Sequence, residues 1–108
     1  METDFAKLPQ PEKEDTTTEF KVRYDDIDVN NHVNNAVYPL WASESVDPAF
    51  RLEHVPQELE IAFKKEGHYG ERVKIITEIQ ENVSLHDITA LSDGRELAKV
   101  RIKWQKRS

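Results

Sequence analysis

The sequence contains no cysteine in 108 residues, which removes disulfides, thiolate metal ligands and a thiol nucleophile from consideration. Glycine is scarce, at 3, so no glycine-rich loop is available to cradle a phosphate. No apolar run approaches the roughly 18 residues that span a bilayer, and the polar amino terminus lacks a signal-peptide core. The chain is therefore expected to have no membrane partner, and its missing cysteines fit a reducing cytoplasm. Acidic side chains outnumber basic ones by 21 to 15, a net charge of -6, which argues against a nucleic-acid partner, since phosphate binding needs a broad basic face. The imbalance is local: residues 1–60 hold 14 acidic and 5 basic side chains, residues 61–108 hold 7 and 10. Lys64, Lys65, Arg72, Lys74, Lys99, Arg101 and Lys103 suit either solvated strand faces or a surface that meets an acidic partner.

With 37% hydrophobic and 33% charged residues, the chain has the composition of one soluble globular domain. Residues 1–18 are rich in Pro, Glu and Thr with few apolar side chains, which predicts a flexible linker or tail ahead of a domain over 19–108. Phe20, Val22 and Tyr24 alternate with Lys21 and Arg23, the pattern of a half-buried strand. Val33, Val37, Leu40 and Trp41 recur at helical spacing, predicting a helix capped near Asn34 and ended by Asp47-Pro48. Pro39 should loosen that helix unless it falls in the first turns. Strand patterns follow at Leu59–Phe63, Arg72–Gln80, Val83–Leu91 and Ala98–Trp104, separated by turn signals at Gly67–Gly70, Glu81-Asn82 and Asp93-Gly94. Asp93-Gly94 reads as a two-residue hairpin, because both positions tolerate positive φ. One helix among antiparallel strands predicts an α+β domain whose sheet wraps around the helix.

Chemistry concentrates just before that helix. Residues 25–32 gather three Asp, two Asn and a His. A helix start offers free N–H groups and positive potential, which a reaction that builds an oxyanion can use. Carboxylate and imidazole together supply acid and base near neutral pH. An Asn/Asp-rich cap with a surface histidine would use the same residues, so composition alone leaves both open. His54, His68 and His86 have no ligand spacing, so no metal site is expected. His68, two residues past Glu66, is near enough to line a site there.

Arg23-Tyr24-Asp25-Asp26-Ile27-Asp28-Val29-Asn30-Asn31-His32-Val33-Asn34-Asn35, followed by Tyr38, Trp41 and Glu44-Ser45, resembles the signature that opens the second hotdog domain of plant and bacterial acyl-ACP thioesterases. The likeness runs from about Phe20 to Trp104. It implies the hotdog fold, an antiparallel sheet around one long central helix. The family's catalytic Asp, Asn and His fall on Asp28, Asn30 and His32, and its further catalytic Glu falls on Glu66, in Ile61-Ala62-Phe63-Lys64-Lys65-Glu66-Gly67. Plant members carry a Cys after that Glu where this chain has Gly67, which implies attack by water rather than by a thiol.

The resemblance further implies hydrolysis of a fatty acyl thioester held on the phosphopantetheine of acyl carrier protein, without metal or cofactor, in fatty acid biosynthesis. On this view backbone N–H groups near Val33 and Asn34 bind the carbonyl, Glu66 activates water, Asn30 positions that water, and Asp28 orients His32 and tunes its pKa. His32 as base with Glu66 as its partner is the alternative. Family members hold two hotdog domains in tandem, so this chain corresponds to the C-terminal one and pairs with an N-terminal hotdog or with a second copy as a homodimer. Two rival readings are a single-hotdog acyl-CoA thioesterase of the 4-hydroxybenzoyl-CoA type and a non-catalytic hotdog dimerisation or binding module. The joint presence of Asp28, Asn30, His32 and Glu66 favours an enzyme.

Overall fold

Five segments that alternate apolar and polar residues pair into one antiparallel sheet, and the helical stripe covers one of its faces. The computed structural model describes Pro9 and residues 11–107. The strands are β1 (Thr16–Lys21), β2 (His54–Phe63), β3 (Arg72–Gln80), β4 (Val83–Ala90) and β5 (Glu96–Lys106). Their order across the sheet is β1-β3-β4-β5-β2. Helix α1 (Val37–Glu44) places Tyr38, Trp41 and Ala42 against Val73, Ile75, Ile88, Val100, Ile102 and Trp104 in a single core. Burial of each large apolar side chain there is worth about 1.5–3 kcal/mol, and this packing fixes the sheet around the helix. The fold is the hotdog fold.

The expected long helix is only 8 residues. Pro39 is its third residue, where the missing N–H costs no intrahelical bond. One turn further on, a proline would break the ladder, so α1 cannot begin much earlier than Val37. At the other end Asp47-Pro48 stops α1 but also starts a second helix, α2 (Pro48–Glu53), with proline at its tolerated first position. The sequence pattern did not reveal α2, nor that β2 begins at His54 rather than near Leu59.

Of the expected tail, residues 1–8 and 10 lie outside the described residues. β1 starts at Thr16, where the Thr16 hydroxyl donates to the Ser45 carbonyl at 2.7 Å. Glu81-Asn82 forms the expected tight turn, with Glu81 at φ 56°. Asp93-Gly94 sits instead in a longer loop between Ala90 and Glu96, with Gly94 at φ 74°. A β-bulge between β4 and β5 near Leu97 takes up the change in register.

At the open edge, β2 leaves Leu59 47% and Phe63 49% exposed, although the Tyr38 ring of α1 meets Phe63 edge-on at 5.9 Å. On the sheet face away from α1, two of the seven expected basic residues are internally paired: Arg101 bonds Glu60 at 2.8 Å and Lys99 meets Glu96 at 3.4 Å. Inside the core lies a polar chain. Trp104 Nε1 donates to Ser84 Oγ at 2.8 Å, Ser84 Oγ contacts His86 Nε2 at 2.7 Å, and His86 Nδ1 contacts Thr77 Oγ1 at 2.8 Å. All four residues are at most 1% exposed. A neutral imidazole, one nitrogen donating and the other accepting, satisfies every link.

Candidate active site

The Asp/Asn-rich segment folds as two consecutive turns held by its own carboxylates. Asp26 is buried, and its Oδ2 accepts the Arg23 backbone N–H at 2.8 Å and the Arg23 guanidinium at 3.2 Å. Asp28 Oδ1 accepts the backbone N–H groups of Asn30 at 2.9 Å and His32 at 3.2 Å. Asn31 closes this turn with φ 65°, a conformation that Asn tolerates better than most residues. The chain then runs beside the segment after β2: Val33 N–H donates to the Gly67 carbonyl at 2.9 Å, and His32 pairs with His68 in an antiparallel bridge. That ladder carries His32 to Glu66. Their side chains meet at 3.2 Å, Nε2 to Oε1.

The pair faces a cleft of about 380 Å³ lined by Asp28, His32, Val33, Asn34, Asn35, Tyr38, Phe63, Lys64, Lys65 and Glu66. Of the sequence-predicted site residues, Asp28, His32, Val33, Asn34 and Glu66 therefore converge. Three expected roles need correction. Asp28 does not hold the His32 ring; it holds the His32 backbone. Asn30 stands exposed on the turn outside the cleft lining, and its side chain bonds nothing among the described residues. The N–H groups of Val33 and Asn34 are not free for an oxyanion, since they donate to the carbonyls of Gly67 and Asp26, each at 2.9 Å. The physical reason is the late start of α1: residues 32 and 33 are bridge, 35 and 36 are turn, and helix begins only at Val37. The Asn34 side chain instead accepts the Ala36 N–H at 2.9 Å.

Several lining residues had no place in the expected catalytic set. Asn35 ends the motif, and its N–H has no acceptor among the described residues. Tyr38 lies one turn along, and burial pushes its hydroxyl up to about 12, so it stays protonated. Phe63, Lys64 and Lys65 directly precede Glu66, which was the available signal. Lys64 and Lys65 pair with no carboxylate among the described residues. His68 is steadied by Glu71, 3.6 Å from its Nδ1, and Arg95 grips Glu71 at 2.6 Å. Burial alone would raise the Glu71 carboxyl, but the bonds from Arg95 and from the His68 N–H hold it below its usual value.

Gly67 is needed for close packing rather than for backbone freedom. A Cβ there would come within 3.0 Å of Val33 Cγ2 and 3.2 Å of Leu97 Cδ1, both on buried side chains. Gly67→Cys should therefore cost about 1–3 kcal/mol through overpacking, read as a lowered urea midpoint. An unchanged midpoint would mean that the neighbours give way freely.

Comparison with known proteins agrees with the fold. The chain superposes on a 12:0-ACP thioesterase from Umbellularia californica with TM-score 0.78 at 20% identity, covering 97% of this chain and 42% of that one. An acyl-ACP thioesterase from Bacteroides thetaiotaomicron superposes with TM-score 0.75 at 16% identity, covering 92% and 43%. A chloroplastic acyl-[acyl-carrier-protein] hydrolase of Cuphea viscosissima is 27% identical over 113 aligned positions, covering 97% of this chain and 27% of that protein. The chain thus spans about a quarter of the length of that relative. Residues 9–106 match the acyl-ACP thioesterase C-terminal domain, and the chain belongs to that family.

Proposed function

We propose that the domain hydrolyses fatty-acyl thioesters carried on acyl carrier protein, with Glu66 as general base and His32 as its partner. The observation that carries this reading is the 3.2 Å approach of His32 Nε2 to Glu66 Oε1 at the cleft. Water attacks the thioester carbonyl carbon as Glu66 accepts its proton, and His32 Nε2–H aims the carboxylate. The oxyanion so formed accepts from the Asn35 N–H, a donor with no other use among the described residues. Collapse breaks the C–S bond, and Glu66 returns its proton to the leaving thiolate, giving a carboxylic acid and a free pantetheine thiol.

Lys64 and Lys65 at the cleft suit the phosphate of a phosphopantetheine arm and an acidic carrier. The cleft has little apolar lining, chiefly Val33, Tyr38 and Phe63, so it takes the thioester end rather than a long tail. Leu59 and Phe63 on the open edge of β2 give a second hotdog unit, N-terminal neighbour or identical copy, an apolar surface to cover.

Asp28 acts in this scheme as a positioning residue. Asp28→Asn keeps the acceptor oxygen and should retain most activity with an unshifted pH–rate profile. Asp28→Ala loses both backbone bonds, each worth about 1 kcal/mol, and should lower kcat roughly tenfold or more. A shifted profile in Asp28→Asn would instead support direct tuning of the ring. The overall reading is tested by thiol release from a panel of acyl-ACP and acyl-CoA thioesters. Preferential hydrolysis of acyl-ACP is expected. Preference for acyl-CoA would move the carrier, and hydrolysis of neither would favour a binding module.

A further inference from the structure

The hydrolytic scheme leaves His68 unused, although the fold brings it beside the reacting pair. His32 and His68 are cross-strand partners whose rings lie 5.3 Å apart at 62°. Ligand atoms from His32, Glu66 and His68 all fall within 4.8 Å of one another. Two donors on a tetrahedral zinc ion, each about 2.0–2.1 Å from the metal, sit roughly 3.4 Å apart. His32 Nε2 and Glu66 Oε1 already stand at 3.2 Å. His68 offers the third donor, and its backbone is held in place by the bridge.

The surroundings match what a metal-bound histidine uses. His68 Nδ1 faces the Glu71 carboxylate at 3.6 Å, which leaves Nε2 as the free ring nitrogen. Glu71 is itself held by two Arg95 contacts of 2.6 Å. A carboxylate that closes to hydrogen-bond distance behind a ligating imidazole fixes its tautomer and raises its basicity. The three side chains are 36%, 65% and 43% exposed, so an ion can reach them and coordination positions stay open to the cleft. Two imidazoles and one carboxylate suit a borderline-soft divalent ion far better than calcium or magnesium, which prefer all-oxygen shells. Sequence spacing concealed this set, because one ligand lies in the motif and the other two follow β2.

We propose that His32, Glu66 and His68 bind one Zn²⁺ ion, and that its binding suppresses hydrolysis by taking the Glu66 carboxylate out of use as a base. The first half stands on geometry alone; the second rests on the hydrolytic reading. Zn²⁺ binding is measured by competition with a chromophoric chelator, with Co²⁺ visible absorption reporting coordination. Acyl-ACP hydrolysis is followed in parallel with and without added Zn²⁺. Wild type should bind one ion per chain. His68→Gln should weaken binding by about a hundredfold, at least the loss seen when an outer partner of a ligand is removed. It should hydrolyse like wild type without metal and resist inhibition at Zn²⁺ levels that silence wild type. His54→Gln, which changes a ring stacked on Phe50 away from the cleft, should bind like wild type. Absent binding in wild type, or undiminished binding in His68→Gln, would overturn the site. Equal inhibition of both proteins would overturn its link to activity. A chain without hydrolytic activity would defeat the functional reading, while the chelator and Co²⁺ data would still decide the site.

Discussion

Glu66→Gln is expected to lower kcat for acyl-ACP hydrolysis by about 10²–10⁴-fold, the usual span for loss of a general base, while KM should change little. The side chain is 65% exposed and supports no core packing, so the fold should survive intact. In the hydrolytic step its carboxylate, whose Oε1 lies 3.2 Å from His32 Nε2, serves to take the water proton. Gln keeps the shape and the hydrogen bond to the imidazole but cannot accept the proton. His32→Gln should lose activity on a similar scale. The double variant should be little worse than either single one, because residues acting as one unit are strongly non-additive. Steady-state rates on purified acyl-ACP check this, and additive losses would mean that the two side chains serve separate steps.

The second large effect concerns stability. Burial holds the His86 imidazole down to about 3, against 6.5 when free. Below pH 6.5 the unfolded chain takes up a proton that the folded chain refuses, so this contribution to stability is present above 6.5 and lost as pH falls toward 3. At pH 4.5 the loss is roughly 3 kcal/mol, at 1.36 kcal/mol per unit, a large share of the ~5–15 kcal/mol typical of a domain. Asp87 opposes it. Its carboxyl is raised by burial and by the bond shared with Glu96, so stability is gained as pH falls through that raised value. The two are separated by difference. Between pH 7.5 and 4.5, the stability advantage of wild type over His86→Gln should shrink by about 3 kcal/mol in urea titrations. A constant advantage would show that His86 takes its proton as readily folded as unfolded.

The strands were legible because strand signals are local. Val73, Ile75 and Thr77 on β3, and Ala98, Val100, Ile102 and Trp104 on β5, alternate cleanly, and their inward faces are buried. The helix length was not, since Val33 continues the helical spacing while its backbone is engaged with Gly67. Periodicity cannot see that competing bridge, and the supposed oxyanion donors fell with it. His32 and Glu66 were found through the motifs that surround them. Their contact needed the pairing of His32 with His68, 36 positions along the chain, and that same pairing hid the third ligand. Leu59 and Phe63 read as core-facing by alternation, yet they lie at the sheet edge, which only the strand order reveals.

The most direct test of the central claim is hydrolysis of acyl-ACP over many turnovers in ¹⁸O-labelled water, followed by mass analysis of the fatty acid and of the Glu66 peptide. Direct attack by water on the thioester carbon, with Glu66 carrying only a proton, should put ¹⁸O in the released acid and none in Glu66. Label in the Glu66 carboxyl would show that it attacks the acyl group itself, and no labelled acid at all would show that this site does not hydrolyse the thioester.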